Sequence, residues 1–121
     1  MISVTPQNIW VVKTLGLAKQ DCEPIRTGTE PISPGDASEL ASGVPQWTVT
    51  DKGLSREVGF DGFPEAMEFA NAVAKLAEQQ DHHPRICVDY STVQLLLLTH
   101  KIGGLSMNDF IMAAKIDTLV G

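Results

Sequence analysis

One long segment of helical periodicity lies between two pairs of short alternating segments, and this grouping constrains the fold more than any other feature. Beyond residues 61–64, apolar residues recur at spacings of three and four, which predicts an amphipathic helix. We expect this helix to end near Gln80 or Asp81. The residue before a proline is biased away from the helical region, and His83 precedes Pro84.

The flanking segments alternate between apolar and polar residues and therefore predict four β-strands. A first strand that begins at Trp47 is followed by a turn at 51–53 and by a second strand over 54–60, which together predict a hairpin. The second pair covers residues 86–90 and 92–100. Strands grouped in pairs between helices favour an α+β fold with an antiparallel sheet.

Two details of these strands lead to further expectations. Residues 92–100 are apolar on both predicted faces, so we expect the helices to cover one face and a neighbouring subunit to cover the other. Arg56 falls on the apolar face of the second strand. We therefore expect it either to lie at a sheet edge or to have an anionic partner.

Two more helices are predicted from their N-terminal signals. Ser33 is a typical N-cap and Pro34 a typical first helical residue, so a short helix should run to about residue 42. Ser106 and Asp109 resemble a capping box that begins the last helix. The predicted element order is α-β-β-α-β-β-α.

Length and charge limit the classes of protein that this chain can belong to. At 121 residues it should form one domain, with residues 1–30 as an N-terminal extension and 31–121 as the folded unit. A net charge of −6 argues against nucleic-acid binding, and no apolar run reaches the roughly 20 residues of a membrane helix. The apolar stretch 9–12 is too short for a signal peptide.

The two cysteines and the three histidines are the reactive side chains that the sequence singles out. Cys22 and Cys87 have no metal-ligand spacing, which favours free thiols in a reducing, cytoplasmic compartment. His82, His83 and His100 lie in one short stretch, and histidine exchanges protons near neutral pH. Their spacing is not typical of a metal site, and we predict none.

Taken singly, these residues also have ordinary structural interpretations. Adjacent histidines at a helix end can be caps or surface residues, and His100 can be a polar strand end. Glu78, one turn before His82, can be a solvated helix residue, and Asp109 can be only a helix cap.

The joint spacing carries more information than any single residue. Glu78-x3-His82-His83-Pro84-x5-Tyr90-x9-His100-x8-Asp109 resembles the signature of the pterin-4a-carbinolamine dehydratase family. The resemblance extends from about residue 30 to the C-terminus, and Trp47, Arg56 and Phe60 agree with it.

The resemblance implies a fold and an activity. It implies a four-stranded antiparallel sheet with three helices on one face, in a homodimer or homotetramer. The implied activity is that of a 4a-hydroxytetrahydrobiopterin dehydratase, which removes water from 4a-hydroxytetrahydropterin to give quinonoid dihydropterin. This reaction belongs to tetrahydropterin recycling after an aromatic amino acid hydroxylase, and it needs no metal or other cofactor.

The resemblance also implies roles for individual residues. The catalytic set would be His82, His83 and His100: the first and last would transfer protons, and His83 would mainly hold the pterin ring. Glu78 and Asp109 would orient the imidazoles, while Trp47 and Pro84 would support or line the pocket.

Other function classes stay open at this point. A protein of the same fold can be a non-catalytic scaffold, acting as an assembly factor or as a transcription-factor dimerisation partner. The presence of all three histidines favours the enzyme. A histidine-dependent hydrolase would need a positioned nucleophile, and neither Ser91 nor Ser106 lies in a nucleophile-elbow motif.

Overall fold

The structure, a computed structural model, describes residues 16–120. The apolar stretch 9–12 and the first half of the predicted extension lie outside the described residues. The helices are Pro34–Leu40 (α1), Phe63–Gln80 (α2) and Met107–Asp117 (α3). The strands are Thr48–Thr50 (β1), Gly53–Gly59 (β2), Arg85–Asp89 (β3) and Thr92–Leu97 (β4). Short 3₁₀ helices occur at Leu17–Lys19, Ala41–Gly43 and His100–Ile102.

The four strands form one antiparallel sheet in the order β1-β2-β4-β3, which confirms the predicted α+β fold. One face of the sheet is buried, because β2 and β4 place their apolar residues opposite each other, for example Leu54 opposite Leu97 and Val58 opposite Val93. Residues from all three helices join the same core, including Leu40, Val73 and Phe110. The helices therefore cover one face of the sheet.

Local capping signals explain where the helices begin and end. The Ser33 hydroxyl accepts a hydrogen bond from the Asp36 amide at 3.2 Å, and Pro34 occupies the first turn of α1. Asp81 has a φ of 51°, a left-handed conformation that ends α2 at the predicted place. None of the described helices is both long enough and apolar enough to cross a membrane.

Arg56 has an anionic partner. It lies in β2, an interior strand, and its guanidinium pairs with the Asp117 carboxylate at the end of α3. The Trp47 indole Nε1 donates to the same carboxylate oxygen at 2.8 Å. A charged residue is tolerated on the buried face because its charge is paired with a carboxylate there.

The second strand pair differs from the prediction in two ways. Tyr90 is not part of β3: it has a φ of 51°, is 69% exposed and lies in the turn between β3 and β4. β4 is also shorter than the predicted strand over residues 92–100. Gln94 is exposed, and β4 ends at Leu97, so Leu98 lies beyond the strand. Leu96 is the apolar residue that remains on the open face, and it is half-buried.

Candidate active site

Asp109 lies at the centre of a hydrogen-bond network between the start of α3 and the end of β4. Its carboxylate is fully buried, and its Oδ2 accepts from the Ser106 amide at 2.9 Å and from the Thr99 hydroxyl at 2.8 Å. Oδ1 is 2.7 Å from the Nε2 atom of His82. The carboxylate therefore caps α3 and also holds the imidazole that follows α2.

This contact constrains which nitrogen of His82 carries a proton. An ionised carboxylate only accepts hydrogen bonds, so opposite an ionised Asp109 the Nε2 atom is the donor. In the neutral imidazole, Nδ1 is then the proton acceptor. The His82 side chain is 12% exposed, which limits its freedom to reorient. The arrangement can therefore supply a positioned base.

His83 and Glu78 form a second imidazole–carboxylate pair, with Nε2 of His83 bonded to Oε2 of Glu78. Their side chains are 54% and 78% exposed. A contact between two such exposed side chains contributes little to stability, so its main effect is to restrict the orientation of the His83 ring.

His100 begins the 3₁₀ helix that follows β4, and its side chain is exposed. The loop is closed by a bridge between Thr99 and Gly104, in which the Thr99 amide donates to the Gly104 carbonyl at 3.0 Å. Gly103 ends the short helix with a φ of 65°. This geometry holds the backbone of His100 next to the buried Thr99, which itself bonds to Asp109.

The three histidines line one open cleft of about 440 Å³. A cleft of this size is within the range that accommodates small-molecule ligands. The other residues that line it are Cys22, Glu23, Pro24, Ile25, Gln80, Asp81, Leu98, Thr99, Lys101 and Asn108.

The other predicted site residues have different positions. Asp109 and Glu78 do not line the cleft themselves. Each is hydrogen-bonded to a histidine that does, Asp109 to His82 and Glu78 to His83. Trp47 is 4% exposed, belongs to the hydrophobic core and is not among the residues that line the cleft. Pro84 is half-buried directly before β3 and does not line the cleft either.

Residues 22–25 form a wall of the cleft, whereas the sequence interpretation places them in an N-terminal extension. It also missed Asn108, a buried polar residue one position before Asp109. The only sequence signal was an asparagine in the first turn of a predicted helix. From sequence alone, an asparagine that hydrogen-bonds to a distant segment cannot be distinguished from one that is solvated.

The cleft also contains the thiol of Cys22. Burial raises the pKa of the Cys22 thiol to about 11; nearby Lys115 opposes this effect, and Asp109 and Asp21 add to it. Within residues 16–120, no three His, Cys, Asp or Glu side chains are grouped as metal ligands would be.

A larger groove of about 570 Å³ lies on the open side of the sheet, lined by residues that include Ser55, Arg85, Cys87, Gln94 and Leu96. None of the described residues that line it is a histidine. The three histidines therefore line the smaller cleft and not this groove.

Comparisons with known proteins identify the family of this chain. Residues 30–119 match the family model described as pterin 4 alpha carbinolamine dehydratase. A relative from Rubrobacter xylanophilus is 41% identical over 104 residues, which is 85% of this chain and 97% of the relative. One from Nitrosospira multiformis is 42% identical over 103 residues, 85% of this chain and 91% of the relative. Both carry the name "Putative pterin-4-alpha-carbinolamine dehydratase".

A solved structure from Brucella melitensis, described as a transcriptional coactivator/pterin dehydratase, has a similar fold. Its TM-score is 0.71 and its sequence identity 28%, over 76% of this chain and all of that chain.

Proposed function

Because this chain belongs to the pterin-4a-carbinolamine dehydratase family, we propose that it removes water from 4a-hydroxytetrahydropterin to give quinonoid dihydropterin. The observation that carries the proposal is the cleft that all three histidines line, one of them bonded to the fully buried Asp109. Such an arrangement supplies groups that exchange protons near neutral pH.

The dehydration balances with two proton transfers. The C4a–O bond breaks, the departing hydroxyl takes up one proton and leaves as water, and a ring nitrogen loses one proton as its lone pair forms the new double bond to C4a. No electron acceptor is consumed. Positioned acids and bases typically accelerate such a step by about 10² to 10⁴.

We assign His82 and His100 to these proton transfers. The Asp109 carboxylate holds the Nε2 proton of His82 and stabilises the imidazolium that forms when Nδ1 accepts a proton, so His82 is suited to act as the base. His100 lines the same cleft from the 3₁₀ helix that follows β4, and we assign it the delivery of a proton to the departing hydroxyl. His83, oriented by Glu78, would bind the pterin ring.

The biological setting is part of the same proposal. We propose a cytoplasmic homodimer or homotetramer that recycles the pterin released by an aromatic amino acid hydroxylase. The two cysteines are free in the structure, and a reducing compartment would keep them so.

A second candidate function rests on the Brucella melitensis structure, whose description names a transcriptional coactivator as well as a pterin dehydratase. By this alternative, the chain would be a scaffold that binds a protein partner and does not turn over a pterin. The complete set of acid–base residues in the cleft favours the enzyme.

A steady-state assay separates the two candidates. 4a-Hydroxytetrahydropterin is generated in situ, and its dehydration is followed with and without the purified protein. The proposal predicts dehydration above the spontaneous rate, in proportion to the protein concentration. Binding of 7,8-dihydrobiopterin without any turnover would favour the scaffold.

A further inference from the structure

Residues 17–25, called here the strap, run across α2 and α3 before the first strand of the domain begins. Leu17 is 3% exposed and belongs to the hydrophobic core. The Lys115 ammonium donates to the Ala18 carbonyl at 3.0 Å, and the Cys22 amide donates to the Gln80 side chain at 2.8 Å. The strap is therefore attached to both helices.

Asn108 makes the most specific of these contacts. Its side chain is an acceptor for the Glu23 amide at 3.0 Å and a donor to the Glu23 carbonyl at 2.7 Å. Asn108 is 6% exposed, whereas Glu23 is exposed, so the two bonds are partly shielded from competing water. One amide thus satisfies both backbone groups of one strap residue and fixes its position and its direction.

The position that Asn108 fixes is at the cleft. Cys22, Glu23, Pro24 and Ile25 line the same cleft as the three histidines. The chain turns away directly afterwards, where the Thr29 amide donates to the Arg26 carbonyl at 3.1 Å in an exposed turn. The part of the strap that Asn108 holds is therefore the part that forms a wall of the cleft.

The start of α3 connects this wall with the acid–base groups. Asn108 holds the strap, and the next residue, Asp109, holds His82. We propose that residues 22–25 are part of the pterin-binding site and that Asn108 is a positioning residue which holds them there. This inference rests on the proposed function, because it assigns the cleft to a pterin.

The strap contributes different chemistry from the histidines. Pro24 and the half-buried Ile25 offer apolar surface, and the backbone groups of Glu23 are occupied by Asn108. The strap should therefore strengthen substrate binding without transferring a proton. Loss of uniform binding raises KM and leaves kcat unchanged.

The test combines kinetics with amide hydrogen exchange. Asn108→Ala removes both bonds to Glu23, and we expect it to raise KM by about tenfold with kcat within about twofold of wild type. Exchange at the Cys22 and Glu23 amides should become faster in this variant. In the wild type, saturating 7,8-dihydrobiopterin should slow exchange at the same amides, because ligand binding and strap docking favour each other.

Gln46→Ala is the matched control, since it removes an exposed amide side chain that is not among the residues lining the cleft. It should change neither KM nor the exchange rates. Ile25→Ala provides a second variant that keeps the Asn108 bonds and removes only a half-buried side chain from the wall. It should raise KM several-fold with an unchanged circular dichroism spectrum.

The outcomes separate this inference from the proposed function. A wild-type enzyme that dehydrates the substrate, with strap amides that do not respond to dihydrobiopterin and with unchanged KM in both variants, would overturn the role of the strap alone. A wild-type protein that neither turns over nor binds a pterin would overturn both. An equal loss of kcat and kcat/KM in Asn108→Ala would contradict a role confined to substrate binding.

Discussion

Asp109 connects the folding of the last helix with the geometry of the candidate site. Its two oxygens accept from the Ser106 amide, the Thr99 hydroxyl and the His82 ring. A buried carboxylate without such donors would be costly, and here each oxygen has at least one donor. The sequence predicts both helix capping and imidazole orientation for this residue, and in the structure one carboxylate has both contacts.

His83 is the residue whose proposed role is easiest to separate from proton transfer. Its side chain is half exposed and paired with an exposed glutamate, so its replacement should leave the fold intact. We expect His83→Ala to raise KM about tenfold, with kcat changed by less than about twofold, because uniform binding is lost. Steady-state kinetics measure both constants.

Glu78→Ala is the control for this prediction, because it removes the partner of His83 and keeps the imidazole. It should raise KM less than His83→Ala does. An effect of His83→Ala that appears only in kcat would contradict the binding role.

Cys22 should be the less reactive of the two thiols. Burial raises its pKa to about 11, whereas Cys87 is exposed. The thiolate is the nucleophile, so iodoacetamide at pH 8 should modify Cys87 first, and the rate at Cys22 should rise with pH toward about 11. Mass spectrometry of Cys22→Ser and Cys87→Ser assigns the two rates, and equal rates at pH 8 would contradict the prediction.

The same shift affects stability in a defined direction. The folded state holds the Cys22 proton more tightly than the unfolded state, whose thiol has its ordinary pKa of 9.0. The resulting stabilisation is therefore complete below pH 9.0 and is lost as the pH rises toward about 11.

At the scale of the elements, the end of α3 is tied to the sheet by one carboxylate. Asp117 accepts from Trp47 and pairs with Arg56 of β2. The Arg56 side chain is 14% exposed, so it depends on this partner to satisfy its charge. The contact explains how a cation is accommodated on the buried face of an interior strand.

Asp117→Ala should therefore destabilise the fold. It leaves a largely buried guanidinium and an indole N–H without their acceptor, at a cost of about 2 to 4 kcal/mol in the free energy of unfolding. Urea denaturation measures this change, and Thr118→Ala, at the exposed neighbouring residue, is the control. A destabilisation no larger than that of the control would show that the contact is unimportant.

The boundaries of the helices could be predicted because their signals are local. Ser33 with Pro34, and Ser106 with Asp109, act within one turn of the helix that they begin. The strand ends could not be predicted as well. Tyr90 continues an apolar alternation, and this position is not a glycine or asparagine, the residues that usually mark a tight turn. Its left-handed φ of 51° follows from the pairing of β3 with β4 on either side of it.

At the scale of the whole molecule, the three histidines that the sequence singles out line one cleft, but one of its walls comes from a distant segment. The strap bonds to Asn108 across 85 residues of sequence, through backbone groups that carry no sequence signal. Trp47 is the opposite case, because the resemblance implies that it lines the pocket, whereas it lies in the hydrophobic core and not in the cleft. An aromatic residue in a strand can line a pocket or fill the core, and only the packing of α3 decides that it binds Asp117.

The proposed homodimer or homotetramer is a prediction at this scale. The open side of the sheet has a groove of about 570 Å³ around the half-buried Leu96, and a second subunit would exclude water from it. Sedimentation equilibrium should give a mass of two or four times 13.1 kDa. Leu96→Lys should shift this mass toward the monomer with the secondary structure retained, and a monomeric wild type would contradict the proposal.

The most direct test of the account is the dehydration of 4a-hydroxytetrahydropterin by His82→Ala and His100→Ala, alone and combined. If the two residues exchange the protons of one step, each single variant should lower kcat by about 10² or more, and the double variant by much less than the product of the two. Circular dichroism should show that all three variants are folded. Turnover at the wild-type rate in both single variants would contradict the assignment of acid–base catalysis to this cleft.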